Sequence, residues 1–162
     1  MYDVVIEFPK MKVGVATRDE RVVEIRYLPA ITETKSPVNT FVARVASQLE
    51  RYRANPDTKF DFPIVIEGSP LQRAVWDAMC AIPRGRTRTY GDIARELEAA
   101  HFCTPRDIGQ ACGDNRLPIV IPCHRVVAAN GLGGFAHATS GYLIEVKRWL
   151  LAHEAPAFEL RP

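Results

Sequence analysis

Cys123 and His124 stand side by side in the apolar segment Pro118–Val127, and together they could perform nucleophilic chemistry. A cysteine attacks as a thiolate, and its ionisation requires a base or a positive potential nearby. On an extended strand adjacent side chains point to opposite faces, so His124 would reach Cys123 only through a kink or an intervening water. Pro122 favours a kink, because proline removes a donor from the ladder. The residues alone leave Cys123 either a structural side chain or a nucleophile.

A histidine base also needs an orienting acid, and Glu154 is the most attractive of several acids in the chain. It follows a predicted helix, Ser140 to His153, whose apolar side must pack on the core. Lys147 precedes Glu154 by seven residues, close to two helical turns, so the two side chains share one face. The spacing makes Glu154 a candidate partner of His124 without placing the two side chains in contact.

The cysteines and histidines do not predict a metal site. None of the four cysteines belongs to a CxxC pair, and their spacings match no zinc pattern. Four cysteines without a secretory leader indicate a reducing compartment, so a cytoplasmic location is expected. No segment approaches the roughly 18 to 20 apolar residues of a membrane span, so no membrane partner is expected.

Two short capped helices are predicted upstream of Cys123. Thr89–Asp92 and Thr104–Asp107 both have capping-box spacing, and a proline follows Thr104 at the first helical position. The helices should end near Ala99 and Gly113. The tight connector between them is typical of a helix-turn-helix.

Arg106 falls in the first turn of the second helix, where exposed N–H groups and a positive dipole suit a phosphate-lined groove. It either contacts DNA or pairs on the surface with Asp107 or Asp92. The net charge of +2 permits a nucleic-acid partner without requiring one. The preceding loop has arginines at alternate positions, which are either solvated or in contact with phosphates: Arg84, Arg86 and Arg88.

The N-terminal part of the chain predicts a small scaffold without recognisable chemistry. Alternating apolar side chains predict an antiparallel meander over residues 2–8, 11–17 and 21–28. A helix should begin at the cap-like pair Ser36–Pro37 and end near Ala54. Residues 62–66 could add one more strand.

The chain is therefore expected to be an α+β protein with two domains. Residues 1–67 would form the scaffold, and residues 68–154 would carry DNA binding and the reactive thiol. Residues 155–162 contain two prolines and are expected to form a loosely ordered tail.

The segment Ile121–Val127, IPCHRVV, resembles the active-site signature of the O6-alkylguanine-DNA alkyltransferases, which repair methylated guanine. The similarity continues through IPRGRTRTYGDIA, PRDIGQACGDNRLPIVIPCHRVVAANG and EVKRWLLAHE, in the family's order, over about residues 69–154. The resemblance implies a ribonuclease H-like first domain and a winged-helix-like second domain.

It also implies a DNA repair protein that acts once per molecule. Such a protein flips O6-alkylguanine out of double-stranded DNA through the minor groove and transfers the alkyl group irreversibly to its cysteine, here Cys123. O4-alkylthymine is a second expected substrate. Because the thioether product has no hydrolytic exit, a single turnover without a cofactor is expected. The protein is also expected to be a monomer.

Site residues follow from the resemblance position by position. The implied catalytic residues are Cys123, His124, Glu154, Asn115, Tyr90 and Lys147. The implied DNA contacts are Arg106, Tyr90, Arg125, Thr89 and Ala111. The implied pocket residues are Tyr90, Val126, Phe135 and Ala136.

The resemblance assigns particular roles within this set. His124 would be a water-mediated base, and Glu154 would orient it and stabilise its charge. Arg106 would enter the duplex and fill the space of the flipped base. Tyr90 would assist rotation of the nucleotide and help to protonate the departing guanine. Asn115 would brace the turn beside the helix-turn-helix, and the backbone carbonyls of two residues would read the guanine amino group: Cys123 and Val126.

One segment departs from the family pattern. The segment after Phe135, residues 136–142, is longer and bulkier than the corresponding segment in the family. The sequence therefore leaves open which of its residues line the pocket. Three other functional classes fit less well. An alkyltransferase-like lesion binder typically replaces the acceptor cysteine, a cysteine hydrolase needs an oxyanion site that nothing here specifies, and a plain helix-turn-helix regulator leaves the reactive signature unexplained.

Overall fold

The computed structural model describes residues 1–155, which contain five α-helices and two small sheets. The mixed α+β class predicted from the sequence is confirmed. By its internal contacts the chain divides into two units, Met1–Ile66 and Glu67–Pro162. The predicted tail lies outside the described residues, except for Ala155.

The first unit opens with the predicted meander. Its strands are β1 (Val4–Glu7), β2 (Lys12–Arg18) and β3 (Arg21–Leu28), paired antiparallel in that order. Val13 and Val15 of β2 are fully buried, as expected for the central strand of a sheet with one covered face. The antiparallel meander is therefore confirmed.

The helix of the first unit, α1 (Thr40–Ala54), begins later than predicted. The chain is still extended at Lys35, which pairs with Val5, and the side chain of Asn39 caps the helix by accepting from the N–H of Val42. Asn39, not the predicted Ser36, is therefore the N-cap. The predicted strand at 62–66 is reduced to a single bridge between Val22 and Ile64.

The second unit begins with α2 (Pro70–Cys80), which Ser69 caps through a capping box with Gln72. The indole Nε1 of Trp76 donates a buried hydrogen bond of 2.9 Å to the carbonyl of Ala111. This bond ties α2 to a later helix, α4 (Pro105–Gly113). A core of fully buried apolar side chains fills the unit: Val75, Met79, Ile93, Ile108, Val146 and Leu150.

The helix α3 (Tyr90–Leu97) and α4 are the two predicted capped helices, and α4 packs on both α2 and α3. The side chains of Thr89 and Thr104 accept hydrogen bonds from the backbone N–H groups of Asp92 and Asp107, respectively. The two carboxylates accept in turn from the backbone N–H groups of the threonines. Both capping boxes are thus formed as the sequence indicated.

Two further elements complete the second unit. The short strands β4 (Arg88–Thr89) and β5 (Val126–Val127) pair in parallel, and α5 (Tyr142–Glu154) packs against the residues just before β5. Among the described residues, no helix combines the length and the apolar character that a membrane crossing requires.

Replacing Thr104 with alanine should lower the free energy of unfolding by about 1 kcal/mol, because the N–H of Asp107 loses its acceptor at the start of α4. Thr104→Ser keeps the hydroxyl and should stay within about 0.5 kcal/mol of the unaltered chain. Urea unfolding followed by circular dichroism measures both variants. Equal losses for alanine and serine would contradict a capping role.

Candidate active site

A strained turn carries the chain from α4 to Cys123. The side-chain amide of Asn115 donates to the carbonyl of Ile121 at 2.9 Å, and its oxygen accepts from the N–H of Leu117 at 2.9 Å. Within this turn Ile119 has φ 74°, a value that a β-branched residue adopts only when its surroundings enforce it. Asn115 therefore occupies the bracing position that the resemblance implied.

The segment around Cys123 is not the extended strand considered from the sequence. Cys123–Arg125 form one turn of 3-10 helix, closed by the N–H of Val126 on the carbonyl of Cys123. Pro122 precedes this turn and cannot donate to a ladder, which explains why the apolar run does not continue as a strand. The kink that Pro122 favoured is present, and the strand-based restriction on His124 no longer applies.

Glu154 joins His124 and Arg125 in a largely buried polar cluster behind Cys123. His124 Nε2 lies 2.9 Å from Glu154 Oε1, and both side chains have almost no solvent exposure. Arg125 grips the same carboxylate with two nitrogens, Nε at 2.9 Å from Oε1 and Nη2 at 3.1 Å from Oε2. Its third nitrogen donates to the carbonyl of Ile82. Such a fork fixes the carboxylate plane and, through it, the imidazole.

Burial dominates the electrostatics of the reactive pair. It lowers the pKa of His124 below its usual value, although Glu154 acts in the opposite direction. Burial also raises the pKa of the Cys123 thiol to about 11, against smaller lowering effects from Asn115 and Lys147. At neutral pH the pair therefore rests as a thiol and a neutral imidazole, which can accept the thiol proton. Nδ1 of His124 has no hydrogen-bond partner among residues 1–155.

Lys147 is fully buried beside this cluster. Its Nζ donates to the carbonyls of Val126 at 2.7 Å and Gly134 at 2.9 Å, and it lies 5.8 Å from the ring centres of Tyr90 and Phe135. Burial lowers its pKa to about 8. Lys147 was predicted to lie near the pocket. In the structure its two hydrogen bonds hold the loop that precedes α5.

Tyr90 is the first residue of α3, and its ring reaches across to the same loop. Its hydroxyl donates to the carbonyl of Gly134 at 3.2 Å. Burial raises its pKa to about 12, so the hydroxyl keeps its proton at neutral pH. Gly133 has φ 77°, and a Cβ there would stand 3.0 Å from the tyrosine ring, so the ring needs glycine at this position.

A cavity of about 350 Å³ opens in front of Cys123, a volume within the range of small-ligand sites. Of the predicted pocket residues, Tyr90, Phe135 and Ala136 line it, whereas Val126 is fully buried outside it. The sequence did not single out several of its other lining residues: Cys112, Gly113, His137, Ala138 and Thr139. For His137, Ala138 and Thr139, the unusual length of the segment after Phe135 was the feature of the sequence that could have indicated them.

The predicted DNA contacts divide into two groups. Arg106 is exposed in the first turn of α4, lines the cavity, and forms no ion pair within the described part of the chain. The surface pairs considered for it are absent, because Asp107 bonds to Thr104 and Asp92 to Thr89 and Arg95.

Thr89, Ala111 and Arg125 differ from Arg106. Thr89 is half-buried and its hydroxyl caps α3. Ala111 is buried against α2, so it does not fit a DNA contact. Arg125 does not fit one either, because Glu154 and Ile82 occupy its guanidinium. Its position indicates that it holds Glu154.

Within residues 1–155, no group of three histidine, cysteine or acidic side chains is arranged to hold a metal ion.

The site combines a buried thiol, a base and a cavity next to a capped helical pair. Similar proteins identify the class to which it belongs, the DNA methyltransferases that use a protein cysteine. The model of the DNA-binding domain of 6-O-methylguanine DNA methyltransferase matches residues 70–156. The chain is 40% identical over 115 residues to a methylated-DNA–protein-cysteine methyltransferase of Methanosarcina mazei, covering 70% of this chain and 68% of that protein. It is 33% identical to the protein of that name from Methanosarcina acetivorans, covering 95% and 98%.

Solved structures agree with these sequence matches. The O6-methylguanine methyltransferase of Mycobacterium tuberculosis is 32% identical with a TM-score of 0.76, covering 97% of this chain and 96% of that one. A structure of that organism's OGT in complex with DNA is 35% identical with a TM-score of 0.74, covering 94% of each chain. The chain belongs to the methylated-DNA–protein-cysteine methyltransferase family. Its activity is DNA repair by transfer of a methyl group to a protein cysteine.

Replacing Glu154 with glutamine should lower the free energy of unfolding by about 3 kcal/mol, because the partly buried guanidinium of Arg125 would lose the counter-charge that the fully buried carboxylate provides. Glu145→Gln is the matched control on the same helix, since Glu145 is exposed and pairs only loosely with Arg148. Chemical unfolding measures both variants. A similar small loss for the two would contradict a structural role of the buried pair.

Proposed function

We propose that the protein repairs O6-alkylguanine, and also O4-alkylthymine, in double-stranded DNA by moving the alkyl group to Cys123 in a single turnover. The observation that carries this proposal is the joint position of Cys123 and His124. Cys123 lines a cavity large enough for a small ligand, and His124 lies behind it against Glu154. The family membership supplies the reaction class, and the geometry supports these residues as its agents.

In the proposed reaction Cys123 Sγ attacks the alkyl carbon as the bond from that carbon to the guanine oxygen breaks. The raised pKa of the thiol means that its proton must leave during the attack. We expect one water to carry it to Nδ1 of His124, because that buried nitrogen has no partner within residues 1–155 and buried polar atoms are normally satisfied. The imidazolium that forms is stabilised by Glu154 at 2.9 Å.

The departing guanine takes the bonding electrons and requires a proton. Tyr90 is the proposed donor, since its hydroxyl remains protonated at neutral pH and its ring lines the cavity. Lys147 lies 5.8 Å from the ring of Tyr90 and adds positive potential where negative charge develops. The product thioether has no hydrolytic exit, which supports one transfer per molecule.

The target atom lies inside the base stack, so we propose that the nucleotide rotates out of the duplex before transfer, at a cost of about a few kcal/mol. Arg106 stands beside the cavity at the exposed end of α4, where its side chain could enter the space that the base leaves. We propose a minor-groove approach by a helix-turn-helix formed by α3 and α4. Minor-groove edges carry little sequence information, as suits a protein that must repair any sequence.

Other parts of the proposal rest on the resemblance. The first unit would be a ribonuclease H-like scaffold, and the second would be winged-helix-like. The protein would act as a cytoplasmic monomer without a cofactor. Thr89 remains a proposed DNA contact through its position at the start of α3.

Cys123→Ser should abolish methyl transfer and retain DNA binding, because the hydroxyl is a much weaker nucleophile than the thiol. Cys80→Ser is the matched control, since Cys80 is an exposed cysteine outside the cavity. Duplex DNA with methyl-labelled O6-methylguanine, followed by peptide mapping, measures the transfer. We expect one label per protein on Cys123. Repeated turnover, or a label on another residue, would overturn the proposal.

Arg106→Ala should slow repair of duplex DNA about tenfold or more and leave the reaction with free O6-benzylguanine nearly unchanged, because only the duplex reaction includes a base-flipping step. Arg44→Ala is the control, since Arg44 is an exposed arginine of the first unit. Rates of disappearance of active thiol with the two substrates measure the effect. Equal slowing of both reactions would contradict the proposed role of Arg106.

A further inference from the structure

The cavity beside Cys123 has two walls that come from different elements. One wall is α4, and the other is the segment 134–139, which belongs to the unusually long region after Phe135. His137 extends from the second wall to the first. Its Nε2 lies 3.1 Å from Oδ1 of Asp114 at the end of α4. Its ring covers Gly113 so closely that a Cβ there would stand 2.3 to 2.6 Å from the ring atoms.

The segment that carries His137 has an unusual backbone. Phe135 and Ala138 exchange two backbone hydrogen bonds of 2.8 Å, which makes Ala136 and His137 the central residues of a two-residue turn. Their φ values are 51° and 65°, as in a type I′ turn, which strongly prefers Asn-Gly. Two residues with side chains are strained in this conformation, so contacts at the turn must hold it.

The contact with Asp114 is the one that holds the tip of the turn. Asp114 is itself fixed by Gln72, whose Nε2 donates to Oδ2 at 3.0 Å. The side chains of His137 and Asp114 are nevertheless 49% and 46% exposed, and a polar side-chain contact this exposed to solvent contributes little. The tip is therefore held by a weak contact between His137 and Asp114, here called the latch, which opposes the backbone strain of the turn. Opening the latch costs little free energy.

We propose that His137 determines which alkyl groups reach Cys123. With the latch closed, the imidazole joins the two walls and leaves room for a small group such as methyl. A bulky group such as benzyl must displace the turn. This inference rests on the proposed function, and it makes His137 a specificity-determining residue that takes no part in the chemical step.

The test compares alkyl transfer to Cys123 from O6-methylguanine and from O6-benzylguanine, each placed in the same duplex. His137→Gly removes the imidazole and suits the left-handed backbone, and it should raise the benzyl-to-methyl rate ratio about tenfold. The rate with methyl should change little by comparison, because a methyl group does not need the extra space.

A second variant opens the latch from the opposite wall. Gly113→Ala places a Cβ where the ring now lies, so it should expel the imidazole and raise the same ratio in the same direction. Alanine also suits a helix better than glycine, so this variant should fold. Gly131→Ala is the matched control, because a Cβ at Gly131 meets nothing within 4 Å, and its ratio should equal that of the unaltered chain.

The outcomes separate the two levels of the proposal. Methyl transfer by the unaltered chain together with a ratio that stays within twofold in Gly113→Ala would overturn the role of His137 alone. Absence of methyl transfer by the unaltered chain would overturn the proposed function and this inference with it. Thermal unfolding of each variant confirms that the rates refer to folded protein, and if His137→Gly unfolds, Gly113→Ala decides.

Discussion

The buried carboxylate of Glu154 is the constraint on which the rest of the site depends. A carboxylate removed from water costs several kcal/mol unless it is paired and hydrogen-bonded, and here a two-nitrogen grip by Arg125 provides that pairing. The pairing brings the end of α5 against the 3-10 turn that contains Cys123. The same guanidinium opposes protonation of His124, which favours the neutral base before reaction. The charge pair thus fixes the position of the imidazole, whereas burial keeps it neutral.

The turn before Cys123 shows how this position is reached. Asn115 satisfies two backbone groups inside the turn and thereby holds Ile119 in a conformation that it would otherwise avoid. Pro122 follows and cannot donate to a ladder, so the chain enters a single 3-10 turn before it pairs again at β5. Within that turn, Cys123 borders the cavity while its neighbour His124 lies fully inside the protein. The irregular backbone therefore places the thiol on the cavity side and the imidazole on the buried side, as the proposed reaction requires.

Local patterns predicted the elements of this protein better than they predicted its site. The meander and the caps at Thr89 and Thr104 follow from periodicity and from side chains that bond within four residues, so the sequence contains all of the relevant information. Lys147 and Glu154 were expected on one face of the last helix for the same reason, whereas their burial was not predicted. The start of α1 was wrong because Lys35 pairs with a distant strand residue, Val5, which delays the helix.

The two predicted DNA contacts that the structure does not favour have the same origin in long-range contacts. Ala111 and Arg125 look like surface residues in a basic, helical region, yet Trp76 of α2 covers the first and Glu154 captures the second. The apolar run before Cys123 read as a strand, because nothing local reveals that Asn115 folds it into a turn. The resemblance to a family located the reactive residues, whereas tertiary packing decided which neighbours support them.

The loop that closes the cavity combines a firm base with a weak tip. At the base, Lys147 and the hydroxyl of Tyr90 both donate to the carbonyl of Gly134, and Phe135 is buried. At the tip, two left-handed residues cost about 1 to 2 kcal/mol each, whereas the exposed contact between His137 and Asp114 returns only about 0 to 1 kcal/mol. The buried base must therefore supply most of the energy that keeps the turn formed. Tyr90 and Lys147 bond to the base of the loop and not to its tip, so the proposed opening of the tip would change the size of the cavity and leave these two side chains in place.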